Sequence, residues 1–193
     1  MTKTGIIAVL LASALVYGCA PRAVAPDPAS LSVQARMRGV AEYGEGNYQR
    51  AIGRFTEALR IDRATDDRKS EALDLVDIGR VYIAVNDAKS ARGFLAEAVR
   101  LSKTEGHAEV LSEAYATLAK AELMEGDNPS ALRYIDESIA TDATLSKKEP
   151  GGKLNLKAAV FLSDNRVAEA VSVFERALSV SDAIGDDSEA ANS

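Results

Sequence analysis

Small and large apolar residues recur along this chain in four stretches that share one internal spacing. Ala51, Phe55, Ala58 and Leu59 are followed by Ala91, Leu95, Ala98 and Val99, then by Ala131, Ile135, Ser138 and Ile139, and finally by Ala170, Phe174, Ala177 and Leu178. The stretches stand 40, 40 and 39 residues apart. An alanine followed at four and seven positions by a large residue and a small one puts all three on one side of a 3.6-residue helix. Small residues admit close helix approach, and the large one fills the space between. A second helical pattern precedes each stretch, for example Leu75, Ile78, Gly79 and Tyr82, or Tyr115, Leu118, Ala119 and Glu122. Self-similarity at a fixed period predicts stacked helical hairpins, the alternative being an ordinary helical bundle with chance periodicity.

Short breaks separate the paired helices: Gly46 and Asn47, Asn86 and Asp87, Gly126 to Asn128, and Asp164 and Asn165. Each turns over at an asparagine, a turn and N-cap residue. Pro129 follows Asn128 directly, so Asn128 is expected to cap its helix and Pro129 to take the first position, where a missing amide donor is harmless. The stretch from Lys147 to Lys153, with Pro150, Gly151 and Gly152, reads as the longest internal break, either a helix stop or a hinge before the fourth unit. A last helix is predicted over about 167–184, with Val167, Val171, Phe174 and Leu178 packing inward. Val173, Val180 and Ile184 then form a second apolar row, which either bends back over the core or serves self-association. The acidic tail 185–193 lacks large apolar residues and is expected to be disordered.

This arrangement resembles the tetratricopeptide repeat, which has a glycine or alanine midway along its first helix and Ala, Phe and Ala on its second. Gly39, Gly79, Ala119 and Ala158 take the first position, with Tyr82 and Phe161 at the aromatic position of units two and four. The resemblance covers roughly 32–184, in units near 32–71, 72–111, 112–150 and 151–184. It implies an all-α fold, a right-handed tetratricopeptide-like solenoid of about four hairpins. The spacing exceeds the usual 34 residues by about one and a half helical turns, as in longer variants. The proline that usually ends the second helix is absent from all four units.

The N-terminus carries a second pattern. Lys3 precedes an apolar run from Gly5 to Tyr17, too short for a comfortable membrane span and suited to a secretory signal. Val16, Tyr17, Gly18 and Cys19 resemble a bacterial lipobox, which implies cleavage after residue 18 and diacylglycerol on the Cys19 thiol. Cys19 is the only cysteine, so no intramolecular disulfide can form. Pro21, Pro26 and Pro28 make 19–31 an expected extended tether. With no aspartate after Cys19, the sorting pattern implied by the lipoprotein resemblance is that of an outer-membrane protein facing the periplasm.

The formal charge of −6 becomes about −7 once residues 1–18, holding one lysine and no acid, are removed. Such a balance argues against a nucleic-acid surface and against broad adhesion to anionic lipid. Candidate chemistry is sparse. One histidine, His107, sits in a polar turn, and one histidine with one cysteine cannot furnish a familiar zinc site. Ser102 with Lys103, and Ser146 with Lys147, are sequence neighbours that point apart on a helix and make no nucleophile–base pair. Asp62, Asp66 and Asp67 beside Arg63, Arg68 and Lys69 read as a solvated linker of mixed charge. No catalytic residue, metal or cofactor is assigned.

A surface remains. In the repeat family the first helices line a concave face, which implies contact positions at Arg36, Val40 and Tyr43; Val76, Arg80 and Ile83; Ala116, Lys120 and Leu123; and Asn155, Ala159 and Leu162. Arg80 and Lys120 hold the same place in consecutive units, so a basic and apolar track suits an extended peptide with carboxylates and aliphatic side chains; the plainer reading has long cations covering apolar helix surface. The expected function is a non-catalytic, membrane-anchored scaffold for a protein or peptide client in an envelope assembly, secretion or pilus-type complex. Alternatives are a regulator of a periplasmic protease or peptidoglycan enzyme and, remotely, an enzyme with an unfamiliar helical site.

Overall fold

The computed structural model describes residues 27–145 and 151–190, with side-chain surroundings through Val180. Cys19, the apolar run before it, Pro21 and Pro26 lie outside these residues, as do 146–150, the Ile184 side chain and 191–193. All eight elements among the described residues are α-helices: α1 (Pro28–Gly44), α2 (Tyr48–Thr65), α3 (Arg68–Ala84), α4 (Ala88–Glu105), α5 (Ala108–Glu125), α6 (Asn128–Thr144), α7 (Gly151–Ser163) and α8 (Val167–Ala190). They pair as four hairpins, α1–α2, α3–α4, α5–α6 and α7–α8, and each hairpin packs on the next.

The repeated small residues act where expected. A Cβ added at Gly39 would stand 2.7 Å from Phe55, and one at Gly79 would stand 2.7 Å from Leu95. Each glycine therefore lets the large residue of its partner helix lie against bare backbone. Ala51, Ala58, Ala91, Ala98, Ala131 and Ala170 are fully buried on the second helices. One cluster runs through Phe55, Leu75, Ile78, Leu95, Tyr115 and Leu118, so the first three hairpins share a continuous core.

Turn chemistry differs from the expectation in detail. The left-handed position inside successive hairpins is Gly46, Asn86, Gly126 and Asn165, with φ between 57° and 78°. Glycine and asparagine tolerate that conformation best. Asn86 and Asn165 thus make the turn itself, whereas Asn47 and Asn128 do not. The cap of α6 is Asp127, whose carboxylate accepts from the Ser130 amide at 3.1 Å, and Asn128 is already helical. Asp67 and Asp87 do the same for Ser70 and Ser90, so an Asp–x–x–Ser cap recurs three times. His107 takes the N-cap position of α5 without a side-chain cap bond.

Three boundaries move. The helix α1 starts at Pro28, not near residue 32, because a proline in the first turn forfeits no helical hydrogen bond. Gly151, Gly152 and Lys153, read as part of a break, open α7. Helix α8 runs to Ala190, into the segment expected to be disordered; a helix satisfies its own backbone and can continue beyond its last packed turn.

The faces of α8 are reversed relative to the sequence reading. Ala170 and Ala177 are buried and Val173 packs on Ala158, Phe161 and Ala170, so Val173 belongs to the core and not to a self-association row. Val180 is half-buried. The residues expected inside, Val167, Val171, Phe174 and Leu178, are 54%, 49%, 39% and 63% exposed. Small residues seat α8 against α7, leaving the large ones on the side that a further hairpin would cover.

Candidate functional site

The twelve predicted contact positions fall into three rows along the first helices, and the rows differ. In the first, Val76 and Ala116 are buried in the core, and only Asn155 is exposed. Arg36 is also withdrawn: its Nε donates to Asp74 Oδ1 at 2.6 Å and its Nη2 to Asp62 Oδ2 at 2.7 Å. Of this row only Asn155 is open to a client.

The second row holds Val40, Arg80, Lys120 and Ala159. Val40 and Lys120 are exposed, but Arg80 is engaged, donating to Asp77 Oδ1 at 3.0 Å and to Glu113 Oε2 at 2.6 Å. The expected basic track is therefore interrupted: two carboxylates already match one of its two cations. Lys120 is left as the accessible positive charge of the pair.

The third row is the most uniform in chemistry. Tyr43 is 39% and Leu162 is 48% exposed, with Ile83 and Leu123 half-buried between them. One apolar side chain per hairpin thus lines the same edge of α1, α3, α5 and α7. Met124, 38% exposed, widens it at α5.

Beneath this face lie two polar clusters that the sequence reading missed. In the first, Arg36 joins α1 to Asp62 of α2 and Asp74 of α3. Asp62, read as part of a solvated linker, is 2% exposed. Burial pushes the Asp74 carboxyl up to about 7 despite the adjacent guanidinium, with Asp62 nearby acting in the same direction as burial. Asp77 is raised for the same first reason. In the second cluster Lys153 Nζ on α7 donates to Asp142 Oδ2 at 2.6 Å and Ser112 Oγ at 2.5 Å, with Glu113 at 3.5 Å. Ser112 also meets Asp142 Oδ1 at 2.7 Å. The available signal was the spacing: Asp62, Ser102 and Asp142 occupy one position 40 residues apart, an unusual choice where apolar residues dominate.

Ser112 beside Lys153 has the composition of a nucleophile and base, yet Ser112 is 1% exposed and enclosed by Ser138, Asp142 and Lys153. No substrate carbonyl can approach it, so the cluster ties α5, α6 and α7 together. Among the described residues no group of three or more His, Cys, Asp or Glu could hold a metal ion, and no helix is long and apolar enough to cross a membrane.

No protein-family model and no curated protein sequence matches the chain. Solved structures do. BtubC (BKLC) from P. vanneervenii matches with a TM-score of 0.72 at 14% identity, covering 84% of this chain and 68% of that one. The Rap conjugation gene regulator of plasmid pLS20, in complex with the Phr* peptide, matches with a TM-score of 0.75 at 15% identity. That match covers 84% of this chain but 45% of the regulator, so this chain spans less than half its length. A putative kinesin light chain of Podosopora anserina, described by its nearly identical TPR-like repeats, matches with a TM-score of 0.67 at 18% identity, over 81% of this chain and 77% of that one. The fold is an all-α, tetratricopeptide-like helical solenoid.

Proposed function

We propose that this chain is a non-catalytic scaffold that holds an extended segment of a client protein along its first helices. The observation that carries this reading is the row Tyr43, Ile83, Leu123 and Leu162, one partly exposed apolar side chain per hairpin. A ladder of regularly repeated apolar contacts reads aliphatic or aromatic side chains along an extended backbone. Lys120 adds one charge that suits a single carboxylate, which makes the client more apolar than the sequence pattern alone suggested. Covering a half-exposed aliphatic residue contributes on the order of 1 kcal/mol, so four rungs suit reversible capture. The Rap regulator, of which the match covers 45%, is a neighbour in complex with a peptide, and the likeness supports the reading in that sense only.

The setting belongs to the same proposal. The lipobox-like Val16 to Cys19 after a short apolar run supports an envelope lipoprotein anchored through Cys19, facing the periplasm from the outer membrane and serving an assembly, secretion or pilus-type complex. The test is photo-crosslinking in cells from Leu123 and Leu162, with exposed Arg54 on α2 as the control position. One client captured from both positions is expected, with capture from Leu162 lost on Leu123→Asp and capture from Leu123 lost on Leu162→Asp. Equal capture from Arg54, or capture untouched by the aspartates, would place the client elsewhere.

A further inference from the structure

The two ends of the solenoid are not alike any neutral surface; together they carry the two halves of an internal junction. At the junction of the third and fourth hairpins, α6 faces α7. Leu132 packs with Ala158 and Phe161, Ile139 packs in one cluster with Leu156, and Asp136 Oδ1 accepts from Lys157 Nζ at 2.7 Å. The repeat register maps these residues onto both ends. On α8, 39 residues further on, Leu132, Asp136 and Ile139 become Val171, Glu175 and Leu178. On α1, Leu156 and Lys157, which lie two and one residues before the small Ala158, become Met37 and Arg38 before the small Gly39.

Every one of these end residues is uncovered. Val171 is 49%, Leu178 63% and Met37 67% exposed, and Glu175 and Arg38 are exposed as well. Phe174 gives the clearest calibration: its counterparts Phe55, Leu95 and Ile135 are 2%, 0% and 0% exposed, whereas Phe174 is 39% exposed. No hairpin among the described residues covers it. A groove of about 240 Å³ at the other end has an apolar floor that includes Leu31, Ala35 and Ile61 and a rim on which Arg38 and Arg60 stand with Glu57.

Charge complements the same pairing. Residues 28–65 contain six arginines and four acids, a net of +2, while 151–190 contain four basic and seven acidic residues, a net of −3. We infer that the partner of the α8 face is a second copy of this chain, docked head to tail, with α8 of one copy on α1 of the next in the manner of the α6–α7 junction. The contact is heterologous, so it leaves a free head and a free tail and extends into short chains of copies rather than closing as a two-fold dimer. Glu42 stands where α7 has Phe161, which makes this junction weaker than the internal one and its assembly concentration-dependent.

The test is a charge swap read by sedimentation velocity on the purified full chain in mild detergent. Glu175→Arg and Arg38→Glu each place like charges at the junction and should weaken association roughly tenfold. Mixing the two variants should restore it, because each copy then meets an opposite charge at both of its junctions. Leu178→Asp should abolish association with the helical circular dichroism unchanged, since Leu178 is exposed in the single copy. The inference is overturned if wild type stays monomeric, if Arg38→Glu leaves association unchanged, which indicates a tail-to-tail dimer or contact through the N-terminal segment, or if mixing gives no rescue.

Discussion

Replacing Gly79 with alanine separates close helix approach from helix propensity, because the chain offers an internal control. A methyl at Gly79 would stand 2.7 Å from Cγ and from Cδ2 of Leu95, and Leu95 is fully buried. Cγ is a branch point, so the clash cannot be relieved by turning a chain end; Leu95 or helix α4 must shift. Overpacking of this kind costs about 1–3 kcal/mol. Gly53 is also mid-helix, in α2, and nothing lies within 4 Å of its added methyl. Gly53→Ala should therefore stabilise by up to about 1 kcal/mol through propensity alone. The two variants share that gain, so their difference isolates the clash at about 1–3 kcal/mol, or roughly 2–10 °C in midpoint for a chain of this size. Thermal and urea unfolding by circular dichroism and tyrosine fluorescence measure it, two probes being needed because stacked repeats can unfold in stages. In a Leu95→Ala background the Gly79 substitution should turn favourable, a coupling that a double-mutant cycle resolves. Equal shifts for Gly53→Ala and Gly79→Ala would refute the packing argument and with it the register of the repeat.

Asp74 governs a second prediction. Its carboxyl, ordinarily at 3.8, is pushed up to about 7 by burial, so between these values the folded protein holds a proton that the unfolded chain has released. Stability is then greatest below about 4 and falls as pH rises through 7, by at most about 4 kcal/mol. The capping carboxylates act below this window, in the opposite sense: Asp67 and Asp127 are lowered chiefly by the Ser70 and Ser130 amides, and Asp87 chiefly by the Ser90 side chain with the Ser90 amide after it. The urea midpoint should therefore drop between pH 5 and 8 in the wild type and flatten in Asp74→Asn, what remains belonging to Asp77, which burial also raises; a slope undiminished by the substitution would assign it to another group. Cys19→Ser should release the protein from membranes into a soluble fraction, and retention in the membrane pellet after a carbonate wash would remove the lipid anchor from the proposal.

The periodicity made the helix pairing legible because it records a direct steric requirement: Gly39 and Gly79 must be small for Phe55 and Leu95 to lie across them. The orientation of α8 was illegible for the converse reason. Its large residues Val167, Val171, Phe174 and Leu178 match the inward pattern of the earlier second helices, and they are exposed because no hairpin among the described residues packs on them. A pattern shared by four units cannot mark which is last. At the candidate site the outer row was readable from register alone, whereas the fate of each cation was not. Arg36 and Arg80 look alike in sequence, yet one is sealed between Asp62 and Asp74 while the other is shared by Asp77 and Glu113. Partners drawn from other helices, 26 to 38 residues away, decide that difference.

Those buried partners also answer a problem that near-identical hairpins create. Apolar faces built from the same few residues could stack in the wrong order, a known failure of repeat chains. Here each junction has a distinct polar key. Arg36 bridges the first two hairpins through Asp62 and Asp74, while Lys153 joins the last two through Asp142 and Ser112. Between them the same position is the uncharged Ser102, fully buried. In the repeat register Lys153 holds the place of Asp74, five residues before the small residue of its helix, so a fourth hairpin stacked on the first would set Lys153 beside Arg36 and leave Asp142 and Asp74 without their cations. An ion stranded in this way costs about 3–5 kcal/mol, far more than a native pair contributes. The clusters therefore act less by strengthening the correct order than by penalising this wrong one, and the first does it while occupying Arg36, a cation that a simple reading would have offered to a client.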